Sequence, residues 1–265
     1  DKNRSKDNFL AMADCACQQE RQQQRPQKKL CSNDVWLALS SATDIIVQQV
    51  KEWQMQQRYQ IFGMRGAGSL IAEFMLTAVG QDYDISFPKS DEMQQPAFRA
   101  LNPLGKIPVL ICPDGQSICE TLAITAHLLE VFPTLAPPVG SAARAQHWQY
   151  LAMLATCIYP AYHRQHRTEY YAPESAYDAV QSLAVEEQMP AYDFIEETLC
   201  PFLCGETPFA ADFYLYMLAR WDLDRDRLLA TRPKLAAFMS AMRAHPAVDP
   251  VIAAQRRPAA TKSGG

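Results

Sequence analysis

At 265 residues and 48% hydrophobic composition, the chain can bury one or two ordinary cores and is neither fibrous nor disordered throughout. A formal net charge of −4 with no long basic run argues against nucleic acid or an anionic membrane as the main partner. No apolar stretch approaches the roughly 18 residues of a membrane-spanning helix, and the opening Asp1-Lys2-Asn3-Arg4-Ser5-Lys6-Asp7 leads into no signal-peptide core, so a cytoplasmic chain is expected.

Residues 1–32 are polar, with Gln18-Gln19, Gln22-Gln23-Gln24 and Pro26 amid charges, a composition that cannot bury a core and reads as a disordered extension. Ser32-Asn33-Asp34 supplies a helix start, and Trp36, Leu39, Ile46, Val50 and Trp53 recur at three- and four-residue steps or their multiples, predicting an amphipathic helix over 33–57. From Tyr59 the pattern turns to β then α. Tyr59-Gln60-Ile61-Phe62 reads as a strand, Gly63 to Gly68 as a glycine-bearing turn, Ser69 to Val79 as a helix closed by Gly80, and Asp82 to Phe87 as a second strand. A loop or short helix comes next at Pro96 to Leu101. Two apolar runs, Ile107 to Cys112 and Gln116 to Ile118, are split by Pro113-Asp114-Gly115 and form a hairpin feeding a helix that starts at Glu120-Thr121 and ends near Phe132-Pro133.

Thr134 to Val139 is Pro-rich, and no convincing strand comes after it, so residues 134–140 read as a linker between a domain at 58–133 and a helical domain at 141–255, with a disordered tail at 256–265. Four helices are predicted there: Ala142 to Tyr171, kinked at Pro160; Pro173 to Leu199, interrupted near Pro190; one opened by Thr207 as N-cap with Pro208 at its first position; and Pro233 to Met242. The eight cysteines form no paired C-x-x-C set and read as free thiols. His163 and His166 are three apart on the first of these helices, but no second ligand pair accompanies them, and no metal site is expected.

Chemistry concentrates in Asn102-Pro103-Leu104-Gly105-Lys106-Ile107-Pro108-Val109-Leu110, followed by Ile118-Cys119-Glu120-Thr121-Leu122-Ala123-Ile124. Ile107-Pro108 is a candidate cis peptide that exposes the backbone of Ile107, beside a helix start where free N–H groups suit a carboxylate. The combination resembles the glutathione-binding half of cytosolic glutathione transferases, and Leu151 to Ala161 resembles the helical domain of bacterial members; together the likeness covers roughly residues 58 to 255. It implies a thioredoxin-like β-α-β-α-β-β-α domain followed by an all-α helical bundle, an α+β/α chain.

For function, the resemblance implies a cytoplasmic, homodimeric detoxification enzyme that adds the glutathione thiolate to a small hydrophobic electrophile, with no metal. Lowering a thiol pKa by roughly two units needs about 2.7 kcal/mol of preferential interaction with the anion. In the turn Arg65-Gly66-Ala67-Gly68-Ser69, Ser69 is the candidate hydroxyl donor, and it reads equally as a structural N-cap; Tyr59 is the other candidate. Related bacterial enzymes often carry Cys immediately before that Ser. Gly68 stands there in this chain, which disfavours a mixed-disulfide mechanism. By resemblance Ile107 pairs its backbone with the cysteinyl unit, Pro108 holds that turn, Glu120 and Thr121 bind the γ-glutamyl end, and Lys106 approaches the glycyl carboxylate or the peptide backbone. Tyr159, Tyr162 and His163, with Tyr170, are candidates for the second-substrate pocket. Family members usually place Ser or Thr three residues before the Asp at position 212, where this chain has Phe209, so Thr207 is expected to cap one turn earlier. Two alternatives stay open: another glutathione-dependent reaction (isomerisation, dehalogenation or peroxide reduction), or a non-catalytic binding module.

Overall fold

The structure, a computed structural model, describes residues 58–256. The expected extension at 1–32, the helix at 33–57 and the tail from 257 onward lie outside the described residues.

A four-stranded mixed sheet has the order β2-β1-β3-β4, from β1 (Tyr59–Phe62), β2 (Tyr83–Ser86), β3 (Val109–Ile111) and β4 (Ser117–Cys119). β1 and β2 are parallel, joined by the crossover helix α1 (Leu70–Ala78) with Ile61 opposite Ile85. β3 runs antiparallel to both neighbours, with Leu110 facing Ile61 on one side and Ile118 on the other. The hairpin closes through Pro113-Asp114-Gly115, where Asp114 Oδ1 accepts the Gln116 N–H at 2.9 Å and Gly115 takes φ 87°. Two short helices, α2 (Ser90–Met93) and α3 (Pro96–Leu101), bring the chain back to β3, and α4 (Thr121–Val131) completes the thioredoxin-like order.

After Val131 every described element is helical: α5 (Ala142–Met153), α6 (Tyr159–His166), α7 (Tyr177–Thr198), α8 (Ala210–Ala219), α9 (Arg225–Ala230), α10 (Pro233–Arg243) and α11 (Asp249–Arg256). All ten residues of α8 are buried, so it forms the central post of the helical part. α1 packs on it, with Phe74 between Phe213 (6.2 Å) and Tyr216 (5.9 Å), and α11 lies against α1. Full burial of such side chains contributes about 1.5–3 kcal/mol each. Leu135 and Ala136, in the Pro-rich connection, are also buried in this shared core.

Three helix expectations are corrected. The kink expected at Pro160 is a π-helical turn, Leu154–Ile158, just before it; the Tyr159 N–H reaches back to Leu154 O, and Pro160 has no N–H to continue the ladder. α7 runs unbroken through Pro190, because Gln188, Ala191, Tyr192 and Ile195 bury the face around the missing hydrogen bond. α8 is capped by Phe209, not Thr207. The Asp212 carboxylate accepts the Phe209 N–H at 2.8 Å and the Leu203 N–H at 2.8 Å, and this double use fixes where the helix starts. The short helices α9 and α11 were not anticipated.

Candidate functional site

A cleft of about 230 Å³ opens where the 102–108 turn and the start of α4 face α6 and the π-helical turn. Its first wall is built by Asn102. That side chain is buried, donating from Nδ2 to Lys106 O at 2.7 Å and accepting the Leu104 N–H at 3.0 Å, so the turn is closed from inside. Gly105 (φ 60°) completes the reversal, and its own Cβ position would fall 3.1 Å from Met93 O. The Ile107-Pro108 bond is cis. Both ladders of β3 begin at Val109, which leaves the peptide groups of Ile107 beyond the end of the pairing, at the cleft.

The second wall is the passage from β4 into α4. Glu120 holds φ 70°, ψ 123°, the left-handed side of backbone space that costs a residue with a Cβ roughly 1–2 kcal/mol. The first intrahelical bond is the Ile124 N–H to Glu120 O, so the N–H groups of Thr121, Leu122 and Ala123 have no partner within the helix. Glu120, Thr121 and Leu122 all line the cleft. The helix start is therefore an anion-favouring end, with the Glu120 carboxylate beside it suited to an ammonium group.

The third wall comes from the helical part: Ala155, Tyr159, His163 and Tyr214. His163 Nδ1 is hydrogen-bonded to the Tyr171 hydroxyl at 2.6 Å, and its ring stacks on Tyr170 at 5.9 Å. Burial, together with the Lys106 and Arg167 charges, pushes its pKa down, so the imidazole favours its neutral form. Tyr159 rests edge-on against Trp221 (5.3 Å) and Tyr214 (6.3 Å).

The structure thus brings together Lys106, Ile107, Pro108, Glu120, Thr121, Tyr159 and His163 of the residues singled out from the sequence. It does not bring Ser69 or Tyr162 into that lining. Ser69 is fully buried; its hydroxyl donates to Met64 O at 3.3 Å and tucks beneath Gly63, whose Cβ position lies 2.3 Å away. Tyr162 is 1% exposed, because its hydroxyl is bound to Tyr192 at 2.8 Å and Asp222 at 3.0 Å. Tyr59, 4% exposed and packed on Phe132, is a core residue. Tyr214 was missed, since within the apolar run Phe213-Tyr214-Leu215 it carries no local sign of reaching a cleft.

The turn into α1 is pinned from outside. Trp221 Nε1 donates to Gly66 O at 2.7 Å, Gln255 Oε1 accepts the Gly66 N–H at 2.9 Å, and Gln255 Nε2 spans both oxygens of buried Glu73 at 2.8 and 2.9 Å. Burial raises Glu73 to a pKa of about 7, opposed by hydrogen bonds from Gln255 and Ser69 and by the Arg65 charge.

Residues 57–130 match the family model for the glutathione S-transferase N-terminal domain. The chain is 27% identical over 198 residues to the GST-like protein YncG of Escherichia coli K12, covering 73% of this chain and 96% of that protein. It is also 27% identical over 203 residues to glutathione S-transferase GstA of Escherichia coli O157:H7, covering 74% and 98%. Among solved structures, a sphingomonad glutathione S-transferase complexed with glutathione superposes with a TM-score of 0.62 at 25% identity, covering 74% of this chain and 98% of that one. With the mixed sheet, the cis-Pro turn and the helical half after them, these likenesses support the glutathione transferase family for this chain.

Proposed function

We propose that the chain binds glutathione in this cleft and adds its thiolate to a small hydrophobic electrophile. One observation carries the reading: a single cleft joins a backbone edge at Ile107, an unpaired helix start at Thr121 and an aromatic wall from the helical part. The Ile107 peptide pairs with the cysteinyl unit, oriented by Pro108. The N–H groups at Thr121 take the γ-glutamyl carboxylate, Glu120 takes its ammonium, and Lys106, exposed at the rim, attracts the glycyl carboxylate. Tyr159 and His163, with Ala155 and Leu122, form the side on which an apolar electrophile rests. Fixing the sulfur beside that surface supplies catalysis mainly by proximity and by stabilising the anion.

On the family's footing the reading extends to a glutathione-binding domain at 58–133, a linker at 134–140, a substrate domain at 141–255, a homodimer, a cytoplasmic location and a role in detoxification. Sedimentation equilibrium checks the dimer. The test of the central reading is calorimetric titration of glutathione followed by conjugation to an activated aryl chloride. Saturable binding with turnover is the expected result. No binding at millimolar glutathione refutes the reading, and binding without conjugation moves it to another glutathione-dependent reaction.

A further inference from the structure

Gly68 is the last residue before Ser69 in the turn into α1, and it contributes no side chain to the cleft beside it. The space a side chain would take there is already occupied. A Cβ built on Gly68 would sit 2.6 Å from the Tyr159 hydroxyl, 3.4 Å from Thr121 Oγ1 and 3.6 Å from Pro108 Cδ. The phenol oxygen, carried on a helix some ninety residues away in sequence, therefore stands where three features meet: the turn into α1, the start of α4 and the cis-Pro turn.

This placement has a structural origin. The π-helical turn Leu154–Ile158 adds a residue to the helix just before Tyr159, and one extra residue rotates the rest of the helix by about 100°. The ring is then gripped at its edges by Trp221 and Tyr214, and Trp221 is itself bonded to Gly66 O, in the same turn as Gly68. The hydroxyl is thereby referenced to the turn it faces.

We propose that Tyr159 is the catalytic hydrogen-bond donor that stabilises the glutathione thiolate, replacing a side chain at position 68 and a hydroxyl at Ser69. The inference rests on the glutathione reading above. Ionisation releases the S–H proton to solvent, while the Tyr159 O–H keeps its proton and donates it in a hydrogen bond to the sulfur. The sulfur lone pair then forms the S–C bond, and the leaving group departs with the electron pair of the bond that breaks. Burial raises the Tyr159 pKa, with the Glu120 charge adding to the rise and Thr121 opposing it, so the phenol remains a donor through neutral pH. Ser69 cannot take the role in this arrangement, as its hydroxyl is fully buried and turned inward towards Met64 O and Glu73.

The test uses the full chain, titrated with glutathione by calorimetry, with the bound thiolate followed by ultraviolet difference absorption across pH. Tyr159→Phe is expected to bind glutathione within about threefold of the parent while the pKa of the bound thiol rises by about one unit, a tenfold loss of thiolate on the acid side of the transition. The acid limb of the kcat/KM profile should move with it. Ser69→Ala should leave the thiol pKa where it was. Should Tyr159→Phe fail to fold, Gly68→Ala, which pushes the hydroxyl back, must raise the thiol pKa in the same direction. An unchanged thiol pKa in a variant that still binds glutathione overturns this inference alone, whereas failure of the parent to bind glutathione overturns the reading beneath it.

Discussion

The contact between Gly68 and Tyr159 can be tested without any ligand, through a double-mutant cycle on stability. Gly68 has no positive φ, so Ala at this position meets no backbone penalty and only its methyl group matters. That methyl lands 2.6 Å from the Tyr159 oxygen, and the hydroxyl must retreat about 0.8 Å to restore 3.4 Å. The ring cannot swing freely, because Trp221 and Tyr214 hold its edges. Overpacking of this kind costs about 1–3 kcal/mol. With Phe at 159 the oxygen is gone, the nearest remaining atom of those three is Thr121 Oγ1 at 3.4 Å, and Gly68→Ala should be nearly neutral. The gain of about 0.4–1 kcal/mol from stiffening the unfolded chain is the same in both backgrounds and cancels. The cycle should therefore show a coupling of about 2 kcal/mol, read as a urea midpoint shift on the order of 1 M that Tyr159→Phe rescues. Additivity within about 0.5 kcal/mol would refute the placement of the hydroxyl, and with it the proposed donor.

Glu73 makes stability depend on pH. Its folded pKa is raised by burial from 4.5 to about 7, so the native state keeps a proton that the unfolded chain has released. Its contribution is complete below the unfolded value and is lost as pH rises through about 7; relative to Glu73→Gln, the parent should lose on the order of 3 kcal/mol at most between pH 5 and pH 8. Parallel urea curves for the two proteins over that range would remove the shift. Gly66→Ala meets no atom within 4 Å but must hold φ 72°, so it should cost about 1–2 kcal/mol in thermal unfolding, and Gly66→Asn less, since Asn tolerates that region. Asp212→Ala strips the Leu203 and Phe209 N–H groups of their shared acceptor and should cost about 3 kcal/mol or more; a change under 1 kcal/mol by denaturant titration would mean the carboxylate is not what fixes the start of α8.

The parts of this fold that could be read from the sequence are those whose cause is local. Pro113-Asp114-Gly115 dictates a hairpin by turn chemistry, and the 102–108 stretch with its proline signals the cleft edge, so Lys106, Ile107, Pro108, Glu120 and Thr121 were found together. Errors arose where a distant contact decides. Tyr159 and Tyr162 look alike on a helix, but Tyr192 and Asp222, 30 and 60 residues beyond Tyr162, draw the latter into the core. Thr207-Pro208 looks like a helix start, yet the Leu203 N–H, nine residues before Asp212, needs the same carboxylate and moves the cap to Phe209. Ser69 precedes a helix in the expected place, and only the bare Gly63 beneath it shows why its hydroxyl turns inward.

The same reasoning explains why the candidate donor comes from the helical part. A hydroxyl on the turn itself would be positioned by six residues of irregular, glycine-bearing chain, Gly63 to Gly68, of which Met64 and Arg65 are exposed. Here the turn is instead located by groups outside it: Trp221 on Gly66 O, Gln255 on the Gly66 N–H, and Arg65 reaching Gln255 O at 2.9 Å. Trp221 also touches the Tyr159 ring. Turn and phenol are thus measured from one residue, and an error in placing the turn is carried to the hydroxyl with the same sign. Trp221→Phe separates the two: the aromatic contact with Tyr159 survives, while the bond to Gly66 O at 2.7 Å is lost. If shared location matters, this variant should raise the pKa of the bound thiol by part of the amount seen in Tyr159→Phe, at a stability cost of about 1 kcal/mol for the missing hydrogen bond. A stability loss of that size with no movement of the thiol pKa would show that the phenol is held by Tyr214 and its own helix alone.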